Sequence, residues 1–324
     1  MHPSGPEHAR DTPYMPLLAD VRFQPIFILG SPRSGTTLLY ELLVATQSFN
    51  FVDAYYIIRY EELLFNHANR REAHARKELD ALFRSWGLGD RIIDNVAATS
   101  DTPEEYGFIL RNAGYRPCLR RRSLPKFVEL CKKVQFLSAP GRPLLLKNPW
   151  DFRHFMYVKG VFPESKFIFI HRHPMHVLSS QLRAMRSLLV RQNVYTGLLD
   201  PRYAKLFERP MRLFMIRLLF SSRLHLGLRL LTRQMVRRTT YFLHNISSLR
   251  EADYIAVTYE DLCAEPETQV ARILQFLGIQ PRASVAYGAL VAPRHLGLLP
   301  ELARWQKRIC RKLQPYADYS GYVM

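Results

Sequence analysis

Pro25-Ile26-Phe27-Ile28-Leu29-Gly30-Ser31-Pro32-Arg33-Ser34-Gly35-Thr36-Thr37-Leu38 sets the fold class of this chain. Pro25–Leu29 is a short, unbroken apolar run that stops at Gly30, the pattern of a parallel strand buried on both faces. Leu38 to Thr46 then reads as a helix. Between them lies a loop of Ser, Gly and Thr. Small residues there let backbone N–H groups converge on an anion, and the helix N-terminus adds the positive end of its dipole. Gly30 and Gly35 have the G-x-x-x-x-G spacing of a phosphate loop. A nucleotide kinase would place Lys directly after the second Gly; here Thr36 holds that position, and Arg33 supplies a cation inside the loop.

Further along, the same alternation continues. Leu144–Leu146, Lys166–Ile170 and Tyr254–Val257 read as strands. Pro174 opens a helix running to about Leu188. Glu265-Pro266 opens another that ends at Gly278, a C-terminal cap glycine. Strands alternating with helices imply an α/β domain with a central parallel sheet flanked by helices. Ligands of such sheets bind outside the carboxyl ends of the strands. No internal repeat or low-complexity linker divides the chain. Residues 1–20, with Pro3, Pro6, Pro13 and Pro16, read as a flexible arm, and 21–324 as one domain with a helical basic segment at 202–250.

Composition narrows the partners. The 324 residues include 46 Lys+Arg and 28 Asp+Glu, a formal net charge of +18. With 48% hydrophobic and 23% charged residues the chain is globular, not disordered. The excess charge implies a polyanionic partner: a phosphorylated small molecule, an acidic membrane or nucleic acid. The four cysteines, Cys118, Cys131, Cys263 and Cys310, have no zinc spacing and read as reduced structural thiols. The N-terminus has no apolar signal region, and no apolar run approaches the length of a bilayer span. A cytoplasmic protein is expected, and the Asn245-Ile246-Ser247 sequon is read as chance.

The segment Pro32-Arg33-Ser34-Gly35-Thr36-Thr37 resembles the 5′-phosphosulfate loop of sulfotransferases that use 3′-phosphoadenosine-5′-phosphosulfate (PAPS). Arg inside the loop is similar to tyrosylprotein sulfotransferases and the bacterial family enzymes; cytosolic aryl and steroid enzymes usually carry Lys there. Such enzymes hold the 3′-phosphate with an Arg at a strand end and a Ser eight residues on. Arg172, after Phe169-Ile170-His171, and Ser180 have that spacing. An Arg fork and a helical Ser can share one phosphate. Lys147-Asn148-Pro149 resembles the family's K-x-P segment, whose Lys touches the sulfuryl bridge. Phe162-Pro163-Glu164-Ser165-Lys166-Phe167 resembles the lead into the 3′-phosphate strand. Val257-Thr258-Tyr259-Glu260-Asp261-Leu262 resembles the segment whose Tyr lies near adenine. Ala303-Arg304-Trp305-Gln306-Lys307 is similar to the basic segment that closes over the nucleotide. The resemblance covers about Phe23 to Leu277. It implies a three-layer P-loop sulfotransferase-like fold, PAPS as co-substrate, no metal, and cofactor contacts from Ser31, Arg33, Ser34, Gly35, Thr36, Thr37, Arg172, Ser180, Tyr259 and Arg304.

The implied reaction is in-line transfer of a sulfuryl group to a hydroxyl or amine, so the work is positioning and charge neutralisation. Lys147 and Arg33 are the expected neutralising cations. A base for the acceptor is harder to find. The His that cytosolic enzymes carry two residues after the strand-end Lys is replaced by Pro149. Tyrosylprotein sulfotransferases use a Glu about one helix past the first loop, and Asp53 is the only acid in that stretch. Asp53 is therefore the expected base, with a helix cap for Ala54–Glu62 as the competing reading. Asp101-Thr102-Pro103-Glu104-Glu105 reads as the first turn of a helix, with Glu104 or Glu105 as an alternative substrate-lining acid. His154, His171, His173 and His295 are weaker choices.

The remaining charge is clustered. Arg202 to Arg238 holds ten Lys/Arg and one acid, Glu208. His225, Arg229, Arg233 and Arg237 share one helix face, and Leu224, Leu228, Leu231 and Met235 another. This segment is either a solvated helix face or a contact for anionic substrate or membrane. A second cluster comprises Arg111, Arg116, Arg120, Arg121, Arg122 and Lys126. Neither has the interleaved aromatics of a nucleic-acid platform, so no nucleic acid is expected. The acceptor class stays open among glycan, lipid, phenol and peptide. The rival readings are a P-loop kinase or NTPase, and a non-catalytic protein of the same fold that binds anionic glycan or membrane.

Overall fold

In the computed structural model, which describes residues 10–89, 91, 97–291 and 297–324, the run Pro25–Leu29 is strand β1 and every residue of it is buried. It lies at the centre of a five-stranded sheet with β2 (Asn50–Phe51), β3 (Leu144–Lys147), β4 (Lys166–His171) and β5 (Tyr254–Thr258). The order is β2-β3-β1-β4-β5 and every pairing is parallel. In register, Ile28 sits beside Lys147 on one side and Ile168 on the other, so the strand ends that carry the motifs line up.

Period-two alternation divides the apolar runs between two cores. Phe27, Leu29, Leu144, Leu146, Phe167 and Phe169 face one way, into an aromatic-rich core. Ile26, Ile28, Leu145, Ile168 and Ile170 face the other. The helices that position the site are α1 (Thr36–Ala45), α2 (Ala54–Ile58), α3 (Glu72–Ser85), α4 (Gly107–Asn112), α5 (Leu124–Leu137), α6 (Pro174–Val190), α7 (Pro201–Phe207), α8 (Pro210–Leu219), α9 (Leu226–Asn245), α10 (Tyr259–Ala264), α11 (Pro266–Leu277) and α12 (Pro300–Tyr319). The first core is covered by α5 through Phe127, Leu130 and Val134, and the second by α1 and α11 through Leu39, Leu43, Val270 and Ile273. A third core joins α6, α9 and α12.

The basic segment comprises three helices, α7, α8 and α9. Pro201 and Pro210 each open a new helix, because proline fits the first turn and not the interior. Pro103-Glu104-Glu105 does not open a helix; α4 starts only at Gly107. Instead, Pro103 bridges to Asp53 and the Glu104 amide donates to Val52 O at 2.9 Å, so this stretch runs beside the chain leaving β2. Finally, residues 10–20 are anchored. Thr12–Leu18 is a 3-10 helix with Leu18 buried. Buried Asp11 pairs with buried Lys133 at 2.8 Å and accepts from the Phe65 amide at 2.9 Å. A charge taken out of water needs both kinds of partner, and they fix the segment to α5. The earlier part of that arm lies outside the described residues.

Candidate functional site

Both φ-positive residues of the first loop stand where the chain turns from β1 into α1. Arg33 has φ +70° and Gly35 φ +101°. A Cβ on Gly35 would collide with the Tyr259 ring, and one on Gly30 would stand 2.5 Å from Ser34 Oγ and 2.7 Å from Ile170 O. Glycine is therefore required at both places. Arg33 holds a left-handed backbone at a cost of about 1 kcal/mol or more, which the surrounding contacts sustain. The hydroxyls of Ser31 and Ser34 are buried without a hydrogen-bond partner. Added to the open N–H groups at the start of α1, they form a cradle of donors suited to a phosphate or sulfate oxygen.

The end of β4 and the start of α6 are folded onto the first loop. Arg172, at the end of β4, donates through Nη1 to Arg33 O at 3.4 Å, and its guanidinium stacks 3.9 Å from the Tyr259 ring centroid. Its Nε is buried and has no acceptor. Arg33 Nε donates to Ser180 Oγ of α6 at 3.3 Å. Gln181 Nε2, next along α6, donates to Pro32 O at 2.7 Å and ties α6 to the loop. Arg33, Gly35, Thr36, Thr37, Arg172, Ser180 and Tyr259 thus line one cavity of about 1440 Å³.

Lys147 ends β3 beside this cradle and is fully buried. Its Nζ lies 3.1 Å from Thr37 Oγ1 and 3.1 Å from Glu105 Oε1. Glu105 lines the cavity. Its neighbour Glu104 is fully buried and is not among the residues lining the cavity. It accepts from Tyr195 Oη at 2.7 Å and pairs with Arg91 at 3.0 Å. Burial pushes the Glu104 carboxyl up to about 7, against the pull of Arg91.

Asp53 does not reach the cavity. It caps α2, accepting from the Tyr56 amide at 2.8 Å, and pairs with Arg76 of α3 at 2.7 Å. Arg76 also holds Asp101 at 2.7 Å. Of the two readings of Asp53, the geometry is that of the cap. Arg304 is exposed on α12 and is not among the residues lining the cavity. The adjacent Trp305 turns instead to Arg229 of α9, 4.8 Å from its ring centroid. His171 is buried, its Nδ1 2.7 Å from Tyr316 Oη, and desolvation lowers its pKa to about 4. His173 caps α6 through the Met175 amide. His154 is likewise lowered to about 4, first by burial and then by nearby arginines. His295 lies outside the described residues. Sequence reasoning passed over Gln181, His176, Trp150 and Glu41, which also border the cavity. No motif marks them; only the fold brings them there.

Residues 25–282 match the pattern of the Sulfotransferase family. The chain belongs to the sulfotransferase family. Curated relatives include the omega-hydroxy-beta-dihydromenaquinone-9 sulfotransferases Stf3 of Mycobacterium bovis and Mycobacterium tuberculosis, each 26% identical over 274 residues. Those matches cover 79% of this chain and 63% of the relatives, so the chain spans under two thirds of their length. Among solved structures, sulfotransferase STF1 from Mycobacterium tuberculosis superposes with a TM-score of 0.57 at 16% identity, covering 95% of this chain and 80% of that one. Sulfotransferase STF9 from Mycobacterium avium gives a TM-score of 0.57 at 18% identity, with 97% and 81% covered. These two establish the sulfotransferase fold for the parallel sheet and its flanking helices.

Proposed function

We propose that this sulfotransferase moves the sulfuryl group of PAPS to an acceptor hydroxyl, with Lys147 and Glu105 at the transfer point. The observation that carries the reading is the meeting of two anion-binding elements in one cavity. Arg33 contacts Ser180, Arg172 contacts Arg33, and Lys147 contacts Thr37. Orphaned donors at Ser31, Ser34 and Arg172 fit a ligand that is anionic at two separated points.

When bound, PAPS supplies an electrophilic sulfur and a phosphate leaving group. Around it, the loop amides, Ser31, Ser34, Thr36 and Thr37 hold the 5′ end, Arg172 and Ser180 hold the 3′-phosphate, and Tyr259 borders the base. Lys147 and Arg33 neutralise the leaving oxygen, whose charge grows in the transition state. Glu105, beside Lys147 and facing the cavity, accepts the acceptor's proton. In this reading Glu105 replaces Asp53 as the base and Arg304 has no part in holding the nucleotide.

The acceptor side of the cavity favours an apolar molecule. Leu188, Leu189, Leu199 and Ile216 border it, and Arg209 and Arg212 stand at its edge. From that edge α8 turns an apolar stripe outward: Met211 is 75% exposed, Phe214 58%, Met215 58% and Leu218 40%. No Asp or Glu occurs between Arg209 and Arg250. An outward apolar stripe flanked by cations suits the surface of an anionic bilayer. The preferred acceptor is therefore a hydroxylated lipid reached from the membrane surface, the chemistry that the names of the mycobacterial relatives also describe. No helix among the described residues is long and apolar enough to cross a membrane. Incubation with labelled PAPS and separated lipid and aqueous fractions of a cell extract tests the reading. Label transferred to a lipid alcohol supports it. Absence of label from every fraction, with PAP bound normally, overturns the transfer activity.

A further inference from the structure

A second cavity lies on a different face of α9 from the one that borders the nucleotide cavity, in the groove between α9 and α12. Its volume is about 400 Å³, the lower range for a small-molecule pocket. Five cations border it: Arg229, Arg233 and Arg237 from α9, Arg308 and Lys312 from α12. Not one acid does. The three arginines follow at four-residue intervals, as do Arg308 and Lys312, so each helix stacks like charges on one face. Such like-charge pairs are destabilising, and among the described residues no carboxylate pairs with any of the five. Two of the guanidiniums gather on Trp305, Arg229 at 4.8 Å and Arg308 at 5.7 Å from its ring centroid. The indole N–H of Trp305 is buried and has no acceptor. Beneath the cations the floor is apolar, with Val236 and Ile309. Leu226 and Leu230, 42% and 38% exposed, continue the Arg233/Arg237 face toward the start of α9.

We propose that this groove is a second anion site, separate from the nucleotide cavity, that takes a phosphate-ester headgroup carried on an apolar body. Forked guanidiniums converging from two helices suit a tetrahedral oxyanion. The Trp305 N–H offers one further donor, and Leu226 and Leu230 give acyl chains a path out of the groove. None of the five cations borders the nucleotide cavity, so the site stands or falls independently of the sulfuryl-transfer reading.

The test compares Arg233→Ala/Arg237→Ala with Arg121→Ala/Arg122→Ala, which removes the same charge from two exposed positions elsewhere. Binding of dihexanoyl phosphatidic acid and of glycerol 3-phosphate is measured by calorimetry, and PAP affinity serves as the check that each variant is folded. The groove variant should lose tenfold or more of its affinity for both probes, and the control less than twofold. Phosphatidic acid should bind tenfold more tightly than glycerol 3-phosphate if the source is a lipid. Equal affinities would keep the site and assign it to a soluble phosphate ester. No binding of either probe to the unaltered protein, or equal losses in the two double variants, would overturn the site and leave only general attraction to a basic surface.

Discussion

Lys147 and Glu105 meet at 3.1 Å beside the first phosphate loop, the ammonium fully buried and the carboxylate facing the cavity. The contact joins the end of a central strand to an irregular segment that no pattern in the sequence singles out as its partner. Lys147 also touches Thr37 at 3.1 Å, so one ammonium links Glu105 to the first loop. Lys147→Ala should therefore lower kcat by about 10²-fold or more while changing PAP affinity far less. Near-normal turnover in steady-state assays would remove Lys147 from the chemistry.

Glu105→Gln keeps the shape of the side chain and removes its basicity. A lost general base costs roughly 10²–10⁴-fold in rate, and PAP affinity should stay within a few fold. If Glu105→Gln turns over normally and Asp53→Asn does not, the assignment of the base is reversed.

Asp53 has the opposite profile. It caps α2 and pairs with Arg76 among buried groups. Asp53→Ala should cost about 2–4 kcal/mol of stability, combining a lost cap with an orphaned arginine. Urea midpoints measure the loss, and kcat of the folded fraction should be unchanged.

Arg172 has a buried Nε without an acceptor, and the proposed role of its fork is to hold a 3′-phosphate. Arg172→Ala should weaken PAP by about 30-fold or more, the scale of a lost charge-assisted pair. It should weaken 5′-AMP, which lacks that phosphate, only slightly. Equal losses for the two ligands in calorimetry would reject the 3′-phosphate role.

His171 sets an acid limit on the fold. Burial lowers its pKa to about 4 from an ordinary 6.5, so the unfolded chain binds the proton more readily. Stability is then complete above pH 6.5 and is lost as the pH falls toward 4, by a total on the order of 3 kcal/mol from this group. His171→Phe should flatten that part of the pH–stability curve, at the expense of the hydrogen bond to Tyr316. An unchanged slope between pH 6.5 and 4 would show that other groups carry it.

Much of this protein is legible in one dimension. Pro25–Leu29 forms the strand at the bounds its composition implies, and Gly278 ends its helix with φ +70°. Anion cradles are local: small residues, one glycine of positive φ and a helix N-terminus lie within a few positions of each other. The Arg172–Ser180 spacing is legible too, since a strand end and the following helix bring those positions together. Strand β2 was not, because two residues carry no periodicity.

The sequence by itself determined the α/β class, the family and the loop and strand-end residues that meet in the cavity, because each of these is written in short-range pattern. Only the tertiary structure decided which carboxylate meets Lys147, which charges are absorbed and which are left in a groove. Asp53 and Glu105 are equally acidic on paper. The bridge from Asp53 to Pro103 carries Glu105 to the cavity wall, while Arg76 holds Asp53 to α3. Arg304 and Trp305 likewise sit on a helix that packs against α9, and neither lines the cavity that Arg33 and Arg172 border. Partner choice across the fold depends on the packing of whole elements, and no spacing along the chain encodes it.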